Sequence, residues 1–310
     1  MNYLVIMRDM LVCFYYGADK SIYSRVYQNG KWSRAVCVMS DARSRYSVIY
    51  EDNLSVISQE TDGNIVLCTQ NGDTYKNNVI LESRGIAPPD MRMVKIGDMI
   101  IYNIKNGREH TLVMQEQKNG KWERSVMIDG FIPFNDCVFR TAALSGGKIM
   151  LVYRKNTSKQ LLGFRIIDKN GNLGDFKTVF ASNGIITDCS FAEDNGYIHF
   201  AFTSKNRIST KLMYVLAAEQ AAENGGSVIW EGNNIEWASV RKQSDKIIID
   251  HSTGNREYTF LSGENGFKGS DLKRTNGMMK KAYVINGNGI NDIIVPKDRP
   301  YDVDISVFSK

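Results

Sequence analysis

Short runs of alternating apolar and polar residues, broken by turn residues, cover the chain from end to end. Ser21–Tyr27 and Arg34–Val38 flank Asn29-Gly30, and His110–Met114 and Arg124–Ile128 flank Asn119-Gly120. A period of two puts one face of each run into a core, which is the signature of a half-buried strand. Asn-Gly joins two such strands tightly, because both residues accept positive φ. The dipeptide recurs at Asn29-Gly30, Asn71-Gly72, Asn119-Gly120, Asn170-Gly171, Asn224-Gly225 and Asn265-Gly266. Successive copies lie 41 to 54 residues apart. Two further strands precede each hairpin, as at 91–96 and 98–104, 136–144 and 148–154, and 188–192 and 197–203. Each unit is therefore four strands in about 45 residues, the period of a propeller blade.

These units predict an all-β protein, a single β-propeller domain over residues 1–310 with four-stranded antiparallel blades. Blade starts near 2, 45, 90, 136, 188, 235 and 280 predict seven blades, with six as the alternative. The last unit has room for three strands, 282–285, 290–295 and 303–308. It either closes the ring as a short blade or is completed by the N-terminal strand. Leu216–Glu223 reads as a helix-like insert extending the hairpin of the fifth unit.

Lys148–Tyr153 with Leu161–Phe164, Tyr197–Phe202 with Lys211–Tyr214, and Asn-Gly-Lys-Trp at 29–32 and 119–122 resemble the strands and turns of sialidase-like (BNR-like) propeller repeats. The resemblance implies the propeller fold. It does not imply sialidase activity, because the turns lack the Ser-x-Asp-x-Gly-x-x-Trp box and no arginine triad is assignable.

Composition adds little. The chain has 310 residues, 43% of them hydrophobic, and a formal charge of +5. No run approaches a membrane span, and no basic block marks a nucleic-acid tail, so neither membrane nor nucleic acid is an expected partner. Cys13, Cys37, Cys68, Cys137 and Cys189 are odd in number, form no CxxC and read as reduced, mostly buried thiols. With no leader pattern, the expected location is cytoplasmic. No phosphate loop, HExxH or dinucleotide fingerprint occurs, so no cofactor is expected.

Candidate chemistry follows from blade geometry. The innermost strand starts at the channel mouth, and the loop between the second and third strands lies on the same face. Asp90, Asp136, Asp188 and Glu236 open four successive blades, with Lys281, Asn2 and Arg45 at the matching positions and Arg140 close by. This reads either as a ligand or metal site at the mouth or as turn-capping acids. Expected ligand-binding residues are Asp90, Asp136, Asp188, Glu236, Arg45, Lys281 and Arg140. Trp32 and Trp122 lie on the opposite face and are expected to cover blade edges. Asp250-His251-Ser252 resembles a triad in letters only, since neighbours in one strand point to opposite faces. The expected function is a non-catalytic binding or scaffold module presenting one face to a protein or carbohydrate. A glycoside hydrolase or lyase using the carboxylate ring is the alternative.

Overall fold

A computed structural model describes residues 2–7, 10–51, 53–82, 93–107, 109–134, 137–218, 226–263, 266–274, 279–286 and 289–296. Blade 1 holds β1 (Asn2–Met7), β2 (Met10–Tyr16) and β3 (Ile22–Gln28), with β4 (Lys31–Trp32) and β5 (Val36–Met39) sharing the outer edge of β3. Blade 2 is β6 (Ala42–Tyr50), β7 (Leu54–Glu60), β8 (Ile65–Asn71) and β9 (Thr74–Leu81). Blade 3 is β10 (Met93–Ile96), β11 (Met99–Asn106) and β12 (Glu109–Lys118), edged by β13 (Lys121–Trp122) and β14 (Val126–Phe131). Blade 4 is β15 (Arg140–Leu144), β16 (Lys148–Asn156), β17 (Gln160–Ile167) and β18 (Lys177–Ser182). Blade 5 is β19 (Ile185–Asp194), β20 (Tyr197–Lys205), β21 (Thr210–Ala218) and β22 (Ser227–Gly232). Blade 6 is β23 (Trp237–Gln243), β24 (Lys246–Thr253), β25 (Arg256–Gly263) and β26 (Gly266–Arg274). A final hairpin joins β27 (Met279–Asn286) to β28 (Gly289–Pro296).

Two of the Asn-Gly dipeptides turn outer hairpins with both residues at positive φ, as expected; at 71–72 and 170–171 only the glycine is at positive φ, and Asn224, Gly225 and Asn265 lie outside the described residues. Asn29 and Gly30 have φ of 52° and 79°, and Asn119 and Gly120 have 51° and 76°. Positive φ at both central residues matches the right-handed twist of the strands they join.

Six sheets, and not seven, form among the described residues. The strands expected at 282–285 and 290–295 exist, but they do not make a blade of their own. β27 pairs in parallel with β1, Tyr3 opposite Tyr283 and Val5 opposite Ile285. The hairpin thus extends blade 1 inward, and β28 packs on the innermost strands β15, β19 and β23 of blades 4 to 6. Long-range pairing with β1 decided the outcome. The third expected strand, 303–308, lies outside the described residues. The predicted insert also differs: Leu216–Ala218 belong to β21, and 219–223 lie outside the described residues.

One apolar cluster joins blades 1, 2, 4 and 5 to the hairpin through Tyr3, Phe14, Tyr46, Phe164, Phe200 and Tyr283. Further clusters lie between blades 3 and 4 and between blades 5 and 6. Four cysteines are buried, whereas Cys37 on the outer strand β5 is exposed.

Candidate functional site

The mouth residues fall into three groups. Asp90 and Asp136 lie outside the described residues. Glu236 is exposed just ahead of β23, and Arg45 is half-buried within β6. Asp188, Lys281 and Arg140 do converge. Lys281 Nζ lies 2.6 Å from Asp188 Oδ2, and Arg140 Nη2 lies 3.4 Å from Asp188 Oδ1. The three side chains are no more than 5% exposed. Asp188 Oδ2 also accepts from the Ala238 amide at 2.8 Å, and Ser190 Oγ accepts from the Val240 amide at 3.0 Å. The inward edge of β23 has no ladder partner in its own blade for these amides, so side chains of β19 satisfy them. Lys281 also donates to the Cys189 carbonyl at 3.3 Å. The Arg140 guanidinium sits 5.3 Å from the Tyr283 ring, which packs on Tyr3, itself packed on Tyr46.

Of the four expected carboxylates, Asp188 and Glu236 lie within the described residues. Asp188 stands inside β19 beyond a bulge, and Glu236 stands before its strand. Asp188 is a buried anion held by two cations and a backbone amide. It pins the C-terminal hairpin to blades 4, 5 and 6. Among the described residues no group of three or more His, Cys, Asp or Glu is placed to hold a metal.

On the rim between blades 3 and 4, Asp129 Oδ2 accepts from Lys155 Nζ at 2.6 Å, the Tyr153 hydroxyl at 2.7 Å and Arg165 Nη2 at 3.1 Å. Burial disfavours the Asp129 charge, but these donors outweigh it and hold the carboxyl below its usual range. Burial, then donation to Asp129, raises the Tyr153 phenol. Tyr153 is fully buried, so this cluster ties blade to blade. Trp32 packs on Tyr27, and Trp122 packs on the cluster of Ile49, Ile57 and Ile65, both as expected for edge covers.

The concavity that the sequence did not reveal opens on the face opposite the mouth, between blades 2 and 3. It is a pocket of about 160 Å³ lined by Ile49, Glu51, Asn53, Ser55, Leu67, Thr69 and Lys95. Ile49, Ser55 and Thr69 stand opposite one another across β6, β7 and β8, so they share one sheet face. Ser55 Oγ donates to Thr69 Oγ1 at 3.1 Å. Glu51 Oε1 accepts from the Gly97 amide at 2.9 Å, and Lys95 Nζ donates to the Gly97 carbonyl. The turn after β10 thereby fixes one carboxylate and one ammonium at the rim. Ile49 and Leu67 give an apolar floor, with Tyr102 and Trp122 packed on the same cluster. No local motif marks this site, because its residues come from four strands and one turn.

No family model and no curated protein matches the chain. Solved structures do. An ulvan lyase described as a new family of polysaccharide lyase, bound to -[GlcA(1-4)Rha3S]-, superposes with a TM-score of 0.66 at 10% identity, over 95% of this chain and 91% of that one. A fucose-specific lectin from Aleuria aurantia gives a TM-score of 0.55 at 9% identity, over 87% and 94%. The WD40 domain of Toxoplasma gondii coronin gives 0.56 at 9%, over 98% and 83%. The chain is a β-propeller. At these identities the likeness is one of fold alone. The resemblance to sialidase-like repeats therefore extends no further than the propeller itself.

Proposed function

We propose that this propeller is a non-catalytic carbohydrate-binding module whose ligand site is the pocket between blades 2 and 3. The observation that carries the reading is the composition of that pocket. Two hydroxyls, an amide, a carboxylate and an ammonium surround an apolar floor, which suits a sugar's mixture of hydroxyls and C–H faces. That propeller neighbours include a fucose lectin and a structure bound to a polysaccharide fragment supports the choice of ligand class. The enzymatic alternative rested on mutually close carboxylates at the mouth. Asp188 is instead consumed by Lys281, Arg140 and a backbone amide, which argues for the binding reading.

The test is calorimetric titration of the full chain with neutral and uronate-containing oligosaccharides. Binding is expected to weaken about tenfold in Thr69→Val, which keeps the shape and removes one hydroxyl. Binding that is untouched in Thr69→Val and in Lys95→Met would reject the pocket as the site.

A further inference from the structure

The pocket between blades 2 and 3 carries two opposite charges that do not neutralise each other. Glu51 and Lys95 both line it, and among the described residues neither forms an ion pair. Each is tied instead to one residue of the turn after β10. Glu51 Oε1 accepts from the Gly97 amide at 2.9 Å, and Lys95 Nζ donates to the Gly97 carbonyl. Gly97 stands at φ 54°, in the left-handed region, so a single turn residue anchors both side chains. Glu51 Oε2 accepts from no described residue, and the Gly97 carbonyl takes only one of the ammonium's N–H groups. The rim thus offers an acceptor and donors held apart, not a closed ion pair. The volume of about 160 Å³ is roughly half the ~300 Å³ at which pockets begin to enclose drug-sized ligands, so one sugar unit fills it and meets both charges.

We infer that this pocket selects an uncharged sugar unit, one of whose hydroxyls donates to Glu51 while a neighbouring hydroxyl accepts from Lys95. The inference rests on the pocket being a saccharide site and adds which saccharides it admits. A hydroxyl is both donor and acceptor, so two adjacent hydroxyls satisfy a carboxylate and an ammonium together. A uronate gains Lys95 but brings its carboxylate up to Glu51. An amino sugar gains Glu51 but brings its ammonium up to Lys95. Each attraction is offset by a repulsion, because both charges stand on one small rim, and the charged ligand still gives up its hydration. Discrimination therefore comes from repulsion of the wrong sugar as well as from fit to the right one. The pocket has an aliphatic floor of Ile49 and Leu67 and no aromatic ring among its lining residues. The charged pair, and not ring stacking, sets the choice.

The experiment is calorimetric titration of the full chain, near pH 6, with methyl glycosides of glucose, galactose and mannose and with the uronic acid and 2-amino-2-deoxy counterpart of each, which are charged there. At least one neutral glycoside is expected to bind about tenfold more tightly than both of its charged counterparts, with the gap narrowing in about 1 M salt. Glu51→Gln is expected to raise the affinity for the uronate by about fivefold, and Lys95→Met to raise that for the amino sugar similarly, while both variants weaken the neutral glycoside. This crossover separates charge from the mere loss of a hydroxyl. Glu51 is exposed and Lys95 half-buried, so the fold is expected to survive both changes, as circular dichroism would show. A uronate or amino sugar that binds the parent as tightly as its neutral counterpart, or charged-sugar affinities that these variants leave unchanged, would overturn the inference; if binding still falls in Thr69→Val, the saccharide pocket itself stands. No binding by any of these sugars, or binding indifferent to Thr69→Val and Lys95→Met, would remove the saccharide reading and this inference with it.

Discussion

Asp188 shows how a residue reading can find neighbours whose mutual contacts only the fold reveals. Placing Asp188, Lys281 and Arg140 together from residues 48 and 93 positions apart was possible because a propeller turns equivalent strand positions toward one axis. That the cluster is sealed was not legible, since it depends on which edge accepts the C-terminal hairpin. Removing one partner leaves a buried charge, which costs roughly 3–5 kcal/mol. Lys281→Met is therefore expected to lower unfolding free energy in urea by that amount, and adding Asp188→Asn is expected to restore part of it. A Lys281→Met protein as stable as the parent would mean that the pair is not formed. His251 makes a prediction of pH. Burial lowers its pKa to about 4 from an ordinary value near 6.5. The folded state therefore resists a proton that the unfolded chain takes up. Stability attributable to this group is complete above pH 6.5 and falls as pH drops toward 4, by about 1.4 kcal/mol per unit at most. Burial depresses His199 in the same direction, so the comparison must be made against His251→Phe. That variant is expected to lose about 2 kcal/mol less than the parent between pH 7 and pH 4.5 in urea melts. Equal losses would contradict the assignment.

Turns and strand spacing were the most legible part of the chain, because period-two alternation and Asn-Gly act locally. Gly120, at φ 76°, tests this: Gly120→Val places a β-branched residue in a left-handed turn and is expected to cost at least about 1 kcal/mol without changing the fold. The number of blades was not legible. A hairpin near the C-terminus with good strand composition fits either a seventh blade or an addition to an existing one. Only the parallel pairing of Tyr3–Ile6 with Tyr283–Asn286 decides between them. The same pairing makes the hairpin a clasp between the last three blades and the first. Truncation before Met279 exposes the inner edge of β1 and removes Lys281 from Asp188. The truncated chain is expected to be aggregated or protease-sensitive, and a truncated protein that melts cooperatively at the parental temperature would contradict the clasp.

The whole molecule separates a locked side from an open one. At the mouth the centre is occupied by the hairpin and its ion pairs, and on the opposite face a polar pocket remains open between blades 2 and 3. The pocket escaped the sequence because Ser55, Thr69 and Asn53 are ordinary strand and turn residues until neighbouring strands line them up, and because Lys95 comes from the next blade. Backbone amide chemical shifts, followed while an oligosaccharide panel is titrated into the full chain, test the account most directly. The account predicts that a bound sugar moves the signals of Glu51, Asn53, Ser55, Thr69, Lys95 and Gly97 while those of Asp188 and Cys189 stay in place. Shifts centred on Asp188 and its neighbours, or no shift with any sugar, would contradict it.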